Sequence, residues 1–374
     1  MHRPAHGVER VDFSALKGFL DDDHLIAWAV FHRSCESIAN QNPVLREAQS
    51  VGQAFRALCD RTLNGPHPTD KQSAISFWRE NFAVYRISGH ADPHGNGFLT
   101  GYYEPVTEGS AIKTDEFTEP VYGLPDDLIQ IPFIDRAPTE ESQNTAGTII
   151  DGAFCPYPNR AQIDAGAIDR LAPVLLWLRD GIELFMAQVQ GSARVVFRNG
   201  RQLRLIYAGR NGRPYSSIGR ILIDSGKISA RDMSLQALKE WVRSAGQHPG
   251  QAGRLLMQQN QSYVFFKIDN DIDVESGPVG GQGVPLTALR SIAVDRNVWP
   301  YGLPFWIDAR LPWQTDAKTP FSRLMIAQDT GSAILGSARV DLFFGSGDEA
   351  GRCAGNVRHE ADVYVLLPRE ETGL

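Results

Sequence analysis

Asp329 and Asp341 stand twelve positions apart in "AQDTGSAILGSARVDLFFG", a run in which small residues join two strand-like segments. In "RVDLFF", strict alternation puts Val340, Leu342 and Phe344 on one face and leaves Asp341 on the other. Asp329 follows the strand-like "RLMIA" and precedes "TGSA", where a turn is expected. A strand end, a glycine-rich connection and a returning strand fit between the two, so both carboxylates can face one cleft. Two carboxyls held close cannot both ionise cheaply, and one then titrates high and stays protonated near neutral pH. That is the state a general acid needs. A plainer reading stays open beside it, because aspartate before Thr-Gly is a common turn device.

Asp295, in "RSIAVDRNVWPYGLPFWI", precedes another turn and on its own reads as a turn residue. In "FLTGYYEPV" alternation sets Thr100, Tyr102 and Glu104 on one face of a strand. Such a face is either a polar and aromatic surface suited to sugars or an exposed edge. "LFMAQVQGSAR", also read as a strand, sets Gln188 and Gln190 side by side, which suggests hydrogen bonding to hydroxyls or amides. Other chemistries find little support. The nine histidines show no HExxH or His-x-His spacing, so no metal is expected. "GPVGGQG" opens no helical pattern, no G-x-S-x-G elbow is present, and no EF-hand spacing backs a calcium site on the three aspartates. No cofactor is called for.

The elements that must position these residues change character along the chain. Over residues 21–87, "DDDHLIAWAVFHRSCESIA", "VLREAQSVGQAFRALCDRTL" and "DKQSAISFWRENFAVYRI" carry apolar residues at three- and four-residue steps, which predicts helices. After about residue 95, "GFLTGYYEPVTEG", "ELFMAQVQGSARVVF", "RQLRLIYAG" and "SYVFFKI" read as strands bounded by glycine or proline. "SSIGRILIDSG" is amphipathic and "MSLQALKEWVRSAG" is helix-like; beyond about 262 the chain is again β-rich. The coarse outline is a helical front and a β-barrel-like domain, interrupted by a second β-rich part.

A chain of 374 residues with 42% hydrophobic content has room for two domains and a real core. The formal charge of −7, with no basic block, argues against a nucleic-acid binder. The four cysteines form no CxxC pair, which excludes a zinc ribbon. Cys35 and Cys59 lie 24 positions apart on two expected helices and are either bridged, in an oxidising compartment, or buried free thiols. No apolar run approaches the roughly 18–20 residues of a membrane span, and the N-terminus lacks the apolar core of a signal peptide.

Taken together, "TGYYEPV", "RAQIDAGAID", "ELFMAQVQGSAR", "YAGRNGRPYSSIGR", "MSLQALKEW", "QSYVFF", "GVPLTALRSIAVDRN" and "AQDTGSAILGSARVDLFFGSGDEAG" resemble, in order, the membrane-bound lytic murein transglycosylase A family over about residues 97–368. The last two resemble its three-aspartate module, whose aspartates fall on Asp295, Asp329 and Asp341. The resemblance implies a mainly β fold with N-terminal helices. A double-psi β-barrel domain is formed by residues 1–105 and 246–374, with the three-aspartate module at about 262–368. A smaller inserted β-barrel spans 106–245, and a glycan groove lies between the two.

The implied chemistry is cleavage of the β-1,4 bond between N-acetylmuramic acid and N-acetylglucosamine with formation of a 1,6-anhydro ring. Asp341 takes the part of acid and then base, and Asp329 tunes it or holds its loop. Thr100, Tyr102, Glu104, Gln188, Gln190, Arg194 and Asp295 are the expected substrate-binding set, with Asp295 more structural than the rest. Peptidoglycan glycan strands are the implied partner, other cell-wall enzymes are candidates, and a monomer is expected. A catalytically silent glycan-binding protein and a hydrolytic muramidase are the alternatives. The family's location implies the periplasm and the outer membrane, but no Leu-x-Gly-Cys-like lipobox is present, and Asn159 stands where relatives often place threonine.

Overall fold

A computed structural model describes residues 7–88, 97–131, 146–270, 276–315 and 317–369. The chain begins with strand β1 (Val8–Val11) and helices α1 (His24–Ala39), α2 (Gln53–Asn64) and α3 (Lys71–Asn81). Strands β2 (Phe82–Ile87) and β3 (Gly97–Glu104) follow. The middle of the chain carries β4 (Val106–Ser110), β5 (Glu119–Tyr122), β6 (Ile129–Gln130), β7 (Ala146–Ile150) and β8 (Ala153–Pro156). After α4 (Arg160–Asp164) come β9 (Val174–Leu178), α5 (Gly181–Gln190), β10 (Ser192–Phe197) and β11 (Gln202–Arg210). Helices α6 (Ile218–Asp224), α7 (Leu235–Ser244) and α8 (Ala252–Gln258) precede β12 (Val264–Asp269). The last part holds β13 (Ser291–Val294), β14 (Pro304–Leu311), β15 (Thr319–Asp329), β16 (Arg339–Ser346), α9 (Gly347–Gly355) and β17 (Arg358–Pro368).

Two compact units divide the chain: Met1–Tyr102, Val279–Gly345 and Cys353–Leu374 form one, Tyr103–Pro278 and Ser346–Arg352 the other. In the first, β3, β16, β13, β15, β14 and β17 pair in sequence and β17 pairs back onto β3, which closes a six-stranded barrel. β13 pairs parallel with β15 and antiparallel with β16. Alternation fills the barrel as expected, with Ile292, Val294, Val340, Leu342, Phe305 and Val363 fully buried.

The helical front of this unit forms over shorter stretches than the three- and four-residue spacing predicts: α2 starts only at Gln53, and "FAVYRI", the end of the third expected helix, is strand β2, held by pairing with β1 and β17. The Asp23 carboxylate caps α1 by accepting from the Ile26 amide at 3.2 Å. Phe31 of α1 meets Phe55, Trp78 and Phe82 with ring centroids 5.4–6.2 Å apart, and all four rings are buried. Cys35 and Cys59 are buried free thiols. Burial and then a hydrogen bond with Cys59 raise the Cys35 thiol above its ordinary value. Just before α1, the buried Asp22 takes a bidentate pair of 2.7 Å bonds from Arg290, and the Leu324 amide adds a third at 2.9 Å.

The second unit contains a six-stranded sheet, ordered β12-β11-β10-β4-β9-β5, and a three-stranded sheet, β6-β7-β8. It runs to Pro278, past residue 245, because β12 pairs antiparallel with β11. One expected strand is a helix followed by a strand: "ELFMAQVQGSARVVF" forms most of α5 and then β10. Asp180 caps the helix by accepting from the Glu183 amide at 3.0 Å, and Gly191, at φ 83°, ends it in the left-handed region. Gln188 and Gln190 therefore sit on the last turn of α5 and not side by side on a strand. Among the described residues no helix is long and apolar enough to cross a membrane.

Candidate active site

Ala293, in the middle of three strands, fixes the placement of the two aspartates. In register it pairs with Asp329 on one side and Asp341 on the other. Residues paired in register share a face of the sheet, so both carboxylates leave the barrel wall on the same side, one strand to either side of Ala293. The pairing with β15 skips one residue, with Ile292 opposite Ala327 and Ala293 opposite Asp329. The skipped residue, Gln328, turns toward α1, where its amide donates to Ser34 Oγ at 2.8 Å and accepts from Ser291 Oγ at 2.6 Å. Gln328 is fully buried, and its network pins the end of β15 from which Asp329 projects.

Asp341 is partly buried on β16. Thr100 of β3 donates to its Oδ1 at 2.5 Å, and Arg339 donates to the Thr100 oxygen at 2.7 Å. Burial pushes the Asp341 carboxyl up to about 6, against the pull of the Thr100 bond and the Arg339 charge, with Asp329 adding to the rise. A carboxyl titrating near 6 holds its proton at mildly acidic pH and can still give it up, which suits acid–base work. Asp329 accepts from the Gly281 and Thr330 amides, both at 2.8 Å and both on Oδ1. Burial raises its carboxyl as well, opposed by Arg46, by those two amides and by Tyr102.

Tyr102 packs against Phe343, its ring 5.3 Å from the Phe343 ring, in a core cluster that includes Ala293. Thr100 and Tyr102 thus accompany Asp341 and Asp329 in the first unit. Asp295 lies in the same unit but acts as a turn holder. Its Oδ1 accepts from the Asn297 amide at 2.9 Å and its Oδ2 from the Gly336 amide at 2.7 Å.

The remaining expected residues lie in the second unit. β3 forms as expected, but its supposed polar surface does not: Tyr102 and Glu104 are both buried. Glu104 accepts from Arg194 at 3.1 Å, from Arg204 at 2.5 Å and from Ser346 at 2.6 Å. Gln188 is buried too; it accepts from Arg160 at 2.6 Å and donates to the Val264 carbonyl at 3.2 Å. Gln190 accepts from the Tyr103 amide at 3.0 Å. Asn159 caps α4 through a capping box with Gln162.

Sequence reasoning missed Arg339, although it lies two residues before Asp341 and so on the same face of the strand. It also missed Tyr301 and Arg204, which no local pattern marks. Among the described residues no group of three or more His, Cys, Asp or Glu side chains is placed to hold a metal ion.

Two neighbouring aspartates with raised carboxyls on a closed six-stranded barrel, in a chain that also carries a β-rich insert, set the frame for comparison with known proteins. The MltA-specific insert domain matches residues 98–267, and the 3D domain matches residues 290–367. Membrane-bound lytic murein transglycosylase A of Escherichia coli K12 is 34% identical over 282 residues, 74% of this chain and 67% of that protein. The membrane-bound lytic murein transglycosylase of Agrobacterium tumefaciens superposes with a TM-score of 0.83 at 34% identity, covering 97% of this chain and 98% of that one. The structure of E. coli MltA with bound chitohexaose gives a TM-score of 0.66 at 28% identity, over 92% and 91% of the two chains. The chain belongs to the membrane-bound lytic murein transglycosylase A family.

Proposed function

We propose that this protein is a peptidoglycan lytic transglycosylase that cleaves the β-1,4 bond between N-acetylmuramic acid and N-acetylglucosamine and leaves a 1,6-anhydro ring on the muramic acid. The observation that carries the assignment to a residue is Asp341 itself, partly buried, hydrogen-bonded to Thr100 and raised to about 6. Protonated, it donates to the departing glycosidic oxygen. As a carboxylate, it then takes the proton from the C6 hydroxyl while that oxygen closes on C1. An ordinary glycosidase needs a second carboxylate as nucleophile or to activate water. Here the substrate supplies the nucleophile, so a single acid–base is enough, and well-oriented intramolecular attack reaches effective molarities of about 10⁵–10⁸ M. General acid–base catalysis contributes a further factor of roughly 10²–10⁴.

In this reading Asp329 raises Asp341 through its charge, Thr100 flanks the reacting bond, and the buried Tyr102 backs the aspartate pair. Glu104, Gln188, Gln190 and Arg194 have their polar ends engaged within the second unit and hold its framework. Asp295 shapes the turn after β13. The parallel β13–β15 pairing supports a double-psi topology for the barrel. Tyr122 of β5 and Phe265 of β12 share one core cluster, which supports closure of the inserted sheet into a smaller barrel. Chitohexaose bound to the E. coli relative supports a glycan-strand substrate. The membrane-bound relatives support action at a membrane, which the resemblance of the sequence to the family places at the periplasmic face of the outer membrane.

Mass spectrometry of purified peptidoglycan digested by the wild type and by Asp341→Asn tests the proposal. The expected result is 1,6-anhydromuropeptides from the wild type and none from the variant. Products with free reducing ends, one water heavier, would make the protein a hydrolase. A fully active variant would remove Asp341 from the role given to it.

A further inference from the structure

Two tyrosine hydroxyls beside Asp329 are buried without a hydrogen bond of good geometry. Tyr102 is 8% exposed and Tyr301 4% exposed; the Tyr102 hydroxyl interacts with the Asp329 carboxylate without closing to full hydrogen-bond geometry, and the Tyr301 Oη has no partner. A buried hydroxyl is ordinarily satisfied, so two such hydroxyls at one carboxylate call for a common explanation. Both can be placed around that carboxylate. Tyr102 belongs to the same core cluster as Ala293, the residue that Asp329 and Asp341 flank in register. Tyr301 Oη lies 2.4 Å, and Asp329 Oδ1 3.3 Å, from where a side chain on Gly281 would begin. Gly281 is therefore small of necessity, and its bareness brings the Tyr301 hydroxyl up to the carboxylate that its own amide holds at 2.8 Å.

We propose that Tyr102 and Tyr301 are positioning residues for Asp329: their hydroxyls donate to its carboxylate and hold it ionised, which leaves the proton of the aspartate pair on Asp341. The inference rests on the reading of Asp341 as the acid. Every group facing the two carboxylates fits this division. Asp329 meets the Gly281 and Thr330 amides, the charge of Arg46 from the segment after α1, Tyr102 from β3 and Tyr301 from the turn before β14. Asp341 meets Thr100, Arg339 and the opposing charge of Asp329, and Tyr102 lies near it as well, though its hydroxyl engages Asp329 more strongly. Arg296 acts on Tyr301 and not on either carboxylate. Burial, followed by the two aspartates, pushes the Tyr102 hydroxyl well above its ordinary range, and burial with Asp329 does the same to Tyr301. Both hydroxyls thus keep their protons wherever the enzyme works and remain donors.

The test is a carboxyl-carbon NMR titration of aspartate-labelled wild type, Tyr102→Phe and Tyr301→Phe, paired with pH–rate profiles of the same proteins. Removing a donor to an anion raises its pKa, so Asp329 should titrate about one pH unit higher in each variant. A neutral Asp329 no longer repels the Asp341 anion. Asp341 then loses its proton at lower pH, and the alkaline limb of the rate profile moves down. Folded variants with the Asp329 titration and the limb both unchanged would overturn the proposal. So would a limb that moves up, since the hydroxyls would then be serving Asp341. If Tyr102→Phe does not fold, Tyr301→Phe carries the test alone. The NMR titration of Asp329 is independent of the reaction, so an active Asp341→Asn would sink the proposed function and leave the Asp329 measurement standing on its own.

Discussion

At the scale of single residues, the two aspartates differ in their company. Both are raised by burial, but Asp329 has two backbone amides fixed on one oxygen, whereas Asp341 has a single threonine hydroxyl. A hydrogen bond to the ionised form lowers a pKa, so the better-served carboxylate is the better anion. Thr100 is the adjustable part of this arrangement, because it passes the influence of Arg339 to Asp341 through bonds of 2.7 and 2.5 Å. Thr100→Val keeps the shape of the side chain and removes the donor. The Asp341 pKa should then rise above about 6, and the alkaline limb of the pH–rate profile should shift to higher pH by about one unit. This is the opposite of the shift expected for the tyrosine variants, so a single set of pH–rate profiles separates the two effects.

At the scale of elements, β3 shows how closely the site depends on its support. Gly101 lies between Thr100 and Tyr102, and a Cβ there would come within 2.8 Å of the Ala354 backbone and of the Phe344 ring. Gly101→Ala should therefore cost about 1–3 kcal/mol, read as a lower urea midpoint, and should lower kcat by displacing Thr100. The "TGYYEPV" motif made β3 legible from the sequence, and alternation placed Asp341 off the most apolar face of β16. The three front helices were legible from their spacing for the same reason: each buries one stripe. α5 was not legible, because its apolar run resembles a buried strand over a short window and only Asp180 and Gly191 mark its ends. Glu104 misled for a different reason. Alternation assigns a face but cannot tell whether that face meets solvent or two arginines that lie far away in sequence, on β10 and β11.

At the scale of the whole molecule, the site draws on the stability that the rest of the fold supplies. Asp22 represents the stabilising kind of buried carboxylate. Burial alone would raise it, yet the Arg290 pair and the Leu324 amide more than offset that and hold it below its ordinary value. Its contribution is present at neutral pH and is lost as the pH falls through its lowered pKa. Asp341 works the other way. Its folded pKa of about 6 lies above the ordinary 3.8, so the native state carries the cost of the charge above about pH 6 and is relieved of it below 3.8. Asp341→Asn removes that charge and retains the oxygen that accepts from Thr100. After discounting for the partial exposure of Asp341, the variant should be more stable than the wild type at pH 7 by about 1–2 kcal/mol. Scanning calorimetry should read this as a Tm higher by about 1–3 °C. The gain should shrink between pH 6 and 4 and vanish below, because both states of the wild type are then protonated. Asp22 is common to both proteins, so its own acid sensitivity cancels in the difference. An inactive Asp341→Asn with no added stability at pH 7 would mean that the raised carboxyl costs the fold nothing.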